Sequence, residues 1–295
     1  MAQINRIDTK FLRDEFCGVF HVVNNEVHSL VEVGSTLSVP PTLQYLKEHN
    51  IDLAAIKNIF ITHVHLDHSG GAGLLLQSLP NATIYTHSAG VAHIVNPHSK
   101  LVPGAVEVYG QQVFDADYPG IVGAPASRVK ALTHQQTVDE FTFLEAHGHA
   151  YHHGMFLFAP LKTLFTGDGF GFGFQQIDMC PLLCTSPTQF DAAIWAKTVE
   201  MVKALDVDFI QPTHFDRFSK EQFGKLFESV ERQLVEYQAI IMSSSDKEQV
   251  KAKYVKVIKE ELERFGCNKV ELAYGLIYGD INVDGLWFRV TRLKK

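Results

Sequence analysis

The chain is expected to fold as a layered α/β protein, and three observations lead there. Short apolar, β-branched runs alternate with helix-like segments over its first two-thirds, the pattern of sheets covered by helices. Of its 295 residues, 46% are hydrophobic and 20% charged, enough apolar material for a two-layer core. Beyond Asp216 the spacing becomes that of long amphipathic helices. A core over residues 1–216 and a helical extension over 217–295 are therefore expected.

The elements follow in order. Val19 to Val23 and Val27 to Val33 read as strands around Asn24-Asn25, a hairpin turn pair. Gly34-Ser35 breaks the second run, and Pro40-Pro41 suit the first turn of a helix over PPTLQYLKEHN. IKNIFI, Ile56 to Ile61, suits a buried strand, and a helix is expected from Ser69 in SGGAGLLLQSL. Ala82 to Thr86 reads as a strand and Ser88 to Val95 as a helix. FTFLEA, GMFLFA and KTLFTGD form three more strands, the last two joined by a turn at Ala159-Pro160-Leu161-Lys162.

A helix from about Thr188 to Leu205 places Phe190, Ile194, Met201, Val202 and Leu205 near one face, and a short strand from Asp208 ends at Pro212-Thr213-His214. Phe223, Leu226, Phe227, Val230 and Leu234 have helical spacing, as do Val250, Tyr254, Val257, Ile258 and Phe265 before the stop at Gly266. SSSDKE is the polar loop between these two helices. Leu272 to Tyr278 and Leu286 to Val290 are expected to be terminal strands.

Composition narrows the function. The net charge of −7 comes from scattered acids and leaves no broad basic face, so nucleic acid is not an expected partner. The charged N-terminus carries no apolar export segment, and no stretch nears 18 uncharged apolar residues, so no membrane partner is expected. Four cysteines are too few for a disulfide scaffold, and a cytoplasmic location is the expectation. The 15 histidines are the unusual feature, and their placement matters more than their number.

His63-Val64-His65-Leu66-Asp67-His68 sets four metal-capable side chains within six residues, directly after an apolar strand. On extended backbone His63 and His65 project to one side and can reach a common ion. Where the chain turns into a helix, Asp67 and His68 can face a neighbouring position, and Gly70-Gly71 permit a close turn. Imidazole and carboxylate suit Zn2+, and they also suit iron or manganese.

The run THVHLDHSGG, Thr62 to Gly71, resembles the HxHxDH signature of the metallo-β-lactamase superfamily. Three later landmarks follow in the order of that family: Gly148-His149, with a second histidine at His153; Asp168 in TGD after the strand KTLF; and His214 in QPTHF. The sequence departs at His152, where the family commonly has glycine. The resemblance covers about residues 15–216.

What the resemblance implies is an αββα sandwich with two metal ions at the edge between its sheets. His63, His65 and His149 would hold one ion, Asp67, His68 and His214 the other, and Asp168 would bridge them. His153 would support the ligands. The implied activity is a metal-dependent hydrolase, most simply with zinc. A metal-bound hydroxide would attack a thioester, ester or lactone of a small-molecule substrate, with phosphodiesters next in order, and Asp67 or Asp168 would accept a proton. The alternative is an iron-dependent oxidoreductase of the same fold, a persulfide dioxygenase or a di-iron reductase of oxygen or nitric oxide. The di-iron type usually carries a carboxylate where His65 stands. A binding protein without catalysis is disfavoured by the full ligand set.

Weaker features keep two readings. Gly169 to Phe174 is either an apolar wall of the substrate pocket or a connection whose phenylalanines pack inward. Tyr151 either donates to substrate or packs on the sheet. Cys180 and Cys184 read as buried thiols, and His87, His93 and His98 as satisfied core or surface residues. The extension either caps the site or mediates a homodimer, and Arg289, Arg292, Lys294 and Lys295 read as a solvated basic end.

Overall fold

A computed structural model of the protein describes residues 1–293, so Lys294 and Lys295 of the basic end lie outside the described residues. The chain forms two compact units, Met1–Glu145 with His152–Gly167, and Ala146–Tyr151 with Asp168–Lys295.

In the first unit, strands β1 (Gln3–Asp8), β2 (Gly18–Asn24), β3 (Val27–Val31), β4 (Ile56–Phe60), β5 (Thr83–His87) and β6 (Val129–Leu132) pair in sequence order to form one sheet. β1 to β3 are antiparallel and joined by short connections, whereas β3 to β6 run parallel. Parallel neighbours need crossovers, and helices supply them. α1 (Val39–Glu48) lies between β3 and β4, and α2 (Leu66–Ser69) and α3 (Ala72–Ser78) between β4 and β5. α4 (Val91–Val95), α5 (Leu101–Tyr109) and α6 (Gln111–Asp117) precede β6. A second sheet follows, with β7 (Thr137–Val138), β8 (Phe141–Glu145), β9 (Gly154–Phe158) and β10 (Thr163–Gly167) in the order β10-β9-β8-β7, all antiparallel.

Alternation along the strands makes the sandwich. Phe20, Val22, Val31 and Phe60 of the first sheet meet Phe141, Phe143, Phe156, Phe158 and Phe165 of the second, all buried. Phe60 stacks on Phe141 at 4.3 Å between ring centroids, and Phe20 lies 5.3 Å from Phe165. Val19, Leu30, Ile59 and Ile84 face the other way and pack with Leu46, Leu75, Leu76 and Ile94 from the helices. A sheet buried on both faces explains why its strands read as continuous apolar runs. Each buried phenylalanine contributes about 1.5–3 kcal/mol, so the aromatic seam between the sheets is a large part of this unit's stability.

The second unit holds α7 (Ala192–Lys203), the antiparallel pair β11 (Phe209–Pro212) and β12 (Phe218–Ser219), and four helices: α8 (Phe223–Ser243), α9 (Lys247–Arg264), α10 (Val270–Leu276) and α11 (Gly279–Leu293). The helix expected from Thr188 starts at Ala192 because Asp191 caps it, accepting from Ile194 N at 3.0 Å. Asp246 caps α9 in the same way. α11 packs on both α8 and α9. Buried Glu261 of α9 ties the helices together, accepting from Arg232 and Ser229 of α8 and from Arg264.

The architecture is the expected αββα sandwich with a helical C-terminal region. One expectation fails: of Leu272 to Tyr278, the residues to Leu276 are helix and the last two a turn, and Leu286 to Val290 is helix, so neither is a strand. Buried Asn282, Val283, Leu286 and Val290 recur at three- and four-residue intervals, and α8 and α9 offer a helical surface to receive them. Among the described residues no helix is long and apolar enough to cross a membrane.

Candidate metal centre

The first cluster lies at the end of β4. Beyond Phe60 the chain bends at Thr62 and runs to His65, the residue that precedes α2. Val64 is buried in the core between the two histidines, so His63 and His65 share the opposite side, with His63 Nε2 3.0 Å from His65 Nδ1. Gly71 brings this turn against the end of β3. Its N–H donates to Gly34 O at 2.9 Å, and a Cβ there would lie 2.7 Å from Ser35 O.

Glu32, fully buried just past β3, sets which imidazole nitrogens of this cluster carry protons. Its Oε1 accepts from Thr62 Oγ1 and, at 3.2 Å, from His68 Nδ1. Because Thr62 spends its proton on Glu32, its oxygen accepts from His63 Nδ1 at 3.1 Å. His63 and His68 therefore carry their protons on Nδ1 and present bare Nε2 atoms. Asp67 follows on the same turn, its Oδ2 3.8 Å from His68 Nε2, and its backbone carbonyl accepts from Cys17 Sγ.

The second cluster, in the other unit, is built on α7. His149 is buried, and its Nδ1 lies 2.9 Å from Cys184 O. A carbonyl only accepts, so the proton sits on Nδ1 and the Nε2 lone pair is exposed to Asp168 Oδ2, 3.4 Å away. His214 Nε2 is 3.5 Å from the other oxygen, Oδ1. Two ligands on one tetrahedral ion, with bonds of about 2.0–2.2 Å, stand about 3.4 Å apart. A lone pair facing a carboxylate oxygen at that separation suits a cation between them, and Asp168 offers a different oxygen to each imidazole. The donor set of nitrogen and oxygen, with no thiolate, fits zinc, iron or manganese.

The backbone here is held tightly. His147 O accepts from Thr198 Oγ1 at 2.7 Å, Gly148 O from Asp191 N at 2.8 Å, and His149 O from Ser186 Oγ at 2.7 Å. Gly148 has φ +130°, and a Cβ on it would lie 2.4 Å from Trp195 Cα. Only glycine lets the chain pass so close to α7. Trp195 in turn donates to Gly169 O at 2.9 Å, next to Asp168.

The structure thus brings together His63, His65, Asp67 and His68 in one unit, and His149, Asp168 and His214 in the other. Each is a His/Asp cluster of the kind that binds metal ions. His152 and His153, three and four residues after His149, sit with the first unit instead. His152 Nδ1 accepts from Val64 N and its ring stands edge-on to His65 at 5.5 Å, while the His153 ring is 4.9 Å from that of His63.

Several open readings close. Phe170, Phe172 and Phe174 are buried, with Phe172 stacked on Phe174 and edge-on to His214 at 5.0 Å, so they pack inward. Tyr151 is half exposed rather than packed into the sheet. Burial raises the pKa of the Cys180 thiol far above its ordinary value, while Cys184 is only half-buried. His87 Nδ1 accepts from Ala89 N, His98 Nε2 bonds Ile121 O, and His93 lies 6.1 Å from the His152 ring.

Sequence reasoning missed Glu32, Thr62 and the carbonyl of Cys184. For Glu32 a signal existed, an acid inside the apolar run Val27 to Val33. A backbone carbonyl gives none.

The sequence model of the metallo-beta-lactamase superfamily matches residues 15–214, more than half of the chain. The protein belongs to that superfamily. A hydroxyacylglutathione hydrolase from Pseudoalteromonas translucida is 34% identical over 85 residues, which span 29% of this chain and 30% of that relative. Among solved structures, an archaeal superfamily protein from Sulfolobus tokodaii superposes with a TM-score of 0.64 at 18% identity, covering 96% of this chain and 98% of that one. A metallo-beta-lactamase family protein from Thermus thermophilus does so with a TM-score of 0.61 at 14% identity, covering 92% of each chain. A chemotaxis sensor solved with a peroxy diiron species has a TM-score of 0.56 at 17% identity, covering 78% of this chain and 90% of that one. At these identities the superpositions speak for the superfamily fold alone.

Proposed function

We propose that the protein is a dinuclear metal-dependent hydrolase of small thioesters, esters or lactones. His63, His65 and His149 would hold one ion and Asp67, His68 and His214 the other, with Asp168 as the carboxylate they would share. The observation that carries this reading is Asp168, whose two oxygens each face a different imidazole at ligand spacing. The stretch similar to a hydroxyacylglutathione hydrolase favours a thioester or ester, although it spans 30% of that relative.

When bound, a metal pair supplies a hydroxide nucleophile near neutral pH and polarises the substrate carbonyl. The chain's own residues do the rest. Glu32, Thr62 and the Cys184 carbonyl keep His63, His68 and His149 in the tautomer that points Nε2 inward. Asp168 is 6% exposed and has both oxygens engaged with imidazoles, whereas the Asp67 side chain is 18% exposed. Asp67 is therefore the carboxylate that takes the proton released as the nucleophile attacks.

The second reading is iron-dependent redox chemistry, favoured by the di-iron proteins among the structural neighbours. Metal quantitation on protein purified without added metal, followed by a panel of thioester, lactone and bis-aryl phosphodiester substrates, separates the two. Two zinc ions and turnover of a thioester or lactone are expected. About one iron per chain with no hydrolysis would refute the hydrolase. Asp168→Ala is expected to lose metal and activity together while staying folded, and a fully metallated, active Asp168→Ala would refute the bridging role.

A further inference from the structure

The residues that hold His149 in place are themselves held by the last helix of the chain, outside the 15–214 stretch that matches the superfamily. His149 is fixed at two points by one short segment: its Nδ1–H donates to Cys184 O, and its carbonyl accepts from Ser186 Oγ. The residue between those two, Thr185, is fully buried and gripped from α11. Thr185 N donates to Asn282 Oδ1, and Thr185 Oγ1 donates to Asn282 O at 2.8 Å. Asn282 has no exposed surface, and its Nδ2 donates to Ile277 O and Tyr278 O, so its amide is locked with the oxygen toward Thr185. One turn along, a Cβ on Gly285 would lie 2.1 Å from Thr185 O, so α11 touches this segment backbone to backbone. A second link runs through α7. Arg289 of α11 pairs with Asp191, whose N–H holds Gly148 O and whose carboxylate caps α7.

We propose that α11 positions the metal ligand His149, with Asn282 acting through Thr185 and Cys184 and with Arg289 acting through Asp191. The C-terminal region is on this account a working part of the metal centre. The inference rests on the reading of His149 as a ligand.

The physical reason is geometric. The direction of the His149 lone pair is set by where the Cys184 carbonyl lies, and because residues 184–186 belong to no helix or strand that carbonyl is placed by what holds its neighbours, Leu183 from Gln233 of α8 and Thr185 from Asn282 of α11. Its two Thr185–Asn282 bonds are long-range and buried, where an unmade bond is costly. Removing them leaves the peptide of Cys184 held from the Leu183 side alone, and a ligand whose outer hydrogen-bond partner is displaced typically binds metal about 10–100-fold more weakly.

The test compares wild type, Thr185→Val, Thr185→Ser, Asn282→Leu and His149→Ala. Metal affinity is read by chelator competition, folding by far-UV circular dichroism and urea melting, and the His149 Nδ1–H directly as a paramagnetically shifted proton resonance in the cobalt-substituted protein. Thr185→Val and Asn282→Leu are expected to weaken one of the two ions about 10–100-fold, leave the other within about threefold, and shift or broaden the His149 resonance. Thr185→Ser, which keeps the hydroxyl donor, is expected to restore wild-type affinity, a rescue that general loosening of the fold would not produce. Thr185→Val changes little volume, so it decides the matter if Asn282→Leu does not fold. A folded Thr185→Val that binds both ions as wild type does, with the resonance unmoved, would overturn the proposal. A wild-type protein that takes up no metal, or a His149→Ala that keeps both ions at full affinity, would overturn the ligand reading instead.

Discussion

Gly148→Ala tests whether the backbone ahead of His149 is as constrained as its geometry implies. In a permissive conformation alanine would stabilise the protein by about 0.4–1 kcal/mol, by restricting the unfolded chain. Gly148 is not permissive. Its φ of +130° is one that L side chains rarely adopt, and holding such a residue there costs about 1–3 kcal/mol. The added Cβ would also stand 2.4 Å from both Cα and Cβ of Trp195, an overlap with helix backbone that a rotamer change cannot relieve. Overpacking of that kind costs about 1–3 kcal/mol more. The sum, about 2–6 kcal/mol, is a large share of the roughly 5–15 kcal/mol that holds a domain folded. Any relief has to come from moving the peptide that carries His149. Urea denaturation in the presence of chelator is therefore expected to show that destabilisation, and chelator competition at least a tenfold loss of affinity for one ion. A Gly148→Ala protein as stable as wild type, or more so, with two tightly held ions would refute the argument for this turn.

Three other outcomes follow from the same structure. Glu32→Gln removes the charge that orders Thr62 and His68, and is expected to weaken metal binding about tenfold by chelator competition; unchanged affinity would show that the buried carboxylate does not orient the ligands. Arg128 donates to Ala82 O at 2.8 Å, to Leu76 O at 3.0 Å and to Leu79 O around the end of α3, so Arg128→Ala should cost about 2–4 kcal/mol in urea unfolding, and a loss under about 0.5 kcal/mol would contradict that role. His21 is buried, and burial with the nearby His28 and His49 lowers its pKa from 6.5 to about 4. The unfolded chain then binds more protons than the folded one between those values. Stability is accordingly full above pH 6.5 and falls as the pH drops toward 4, by up to about 3 kcal/mol, or about half that once solvent reaching His28 screens the pair. His21→Leu should flatten this part of the pH profile, and an identical slope in both proteins would count against it.

How much of the centre could be read in the chain depended on distance along it. His63, His65, Asp67 and His68 fall within six residues on one turn, so local geometry alone made them candidates. His149, Asp168 and His214 stand singly, and only their order in a known pattern drew attention to them. Strands of the first unit were readable because a sheet buried on both faces leaves continuous apolar runs, as in IKNIFI. The same reasoning misread Leu286 to Val290, since a short apolar run fits a buried helix as well as a strand, and the choice was made by the helical surface of α8 and α9. β1, α5 and α6 escaped notice because they bury so little: Ile7 in β1, Ala105 in α5 and no residue of α6.

Taken alone, the amino-acid order determined the candidate donor set, imidazoles and carboxylates without thiolate, and the layered fold that carries it. It could not determine which nitrogen of each imidazole is bare. That was decided by two groups brought in from far along the chain: Glu32, which meets His68 and also turns the neighbouring Thr62 hydroxyl into an acceptor for His63, and the Cys184 carbonyl, which meets His149. A proton on an imidazole goes to whichever nitrogen meets an acceptor, and where that acceptor lies exists only once the chain has folded.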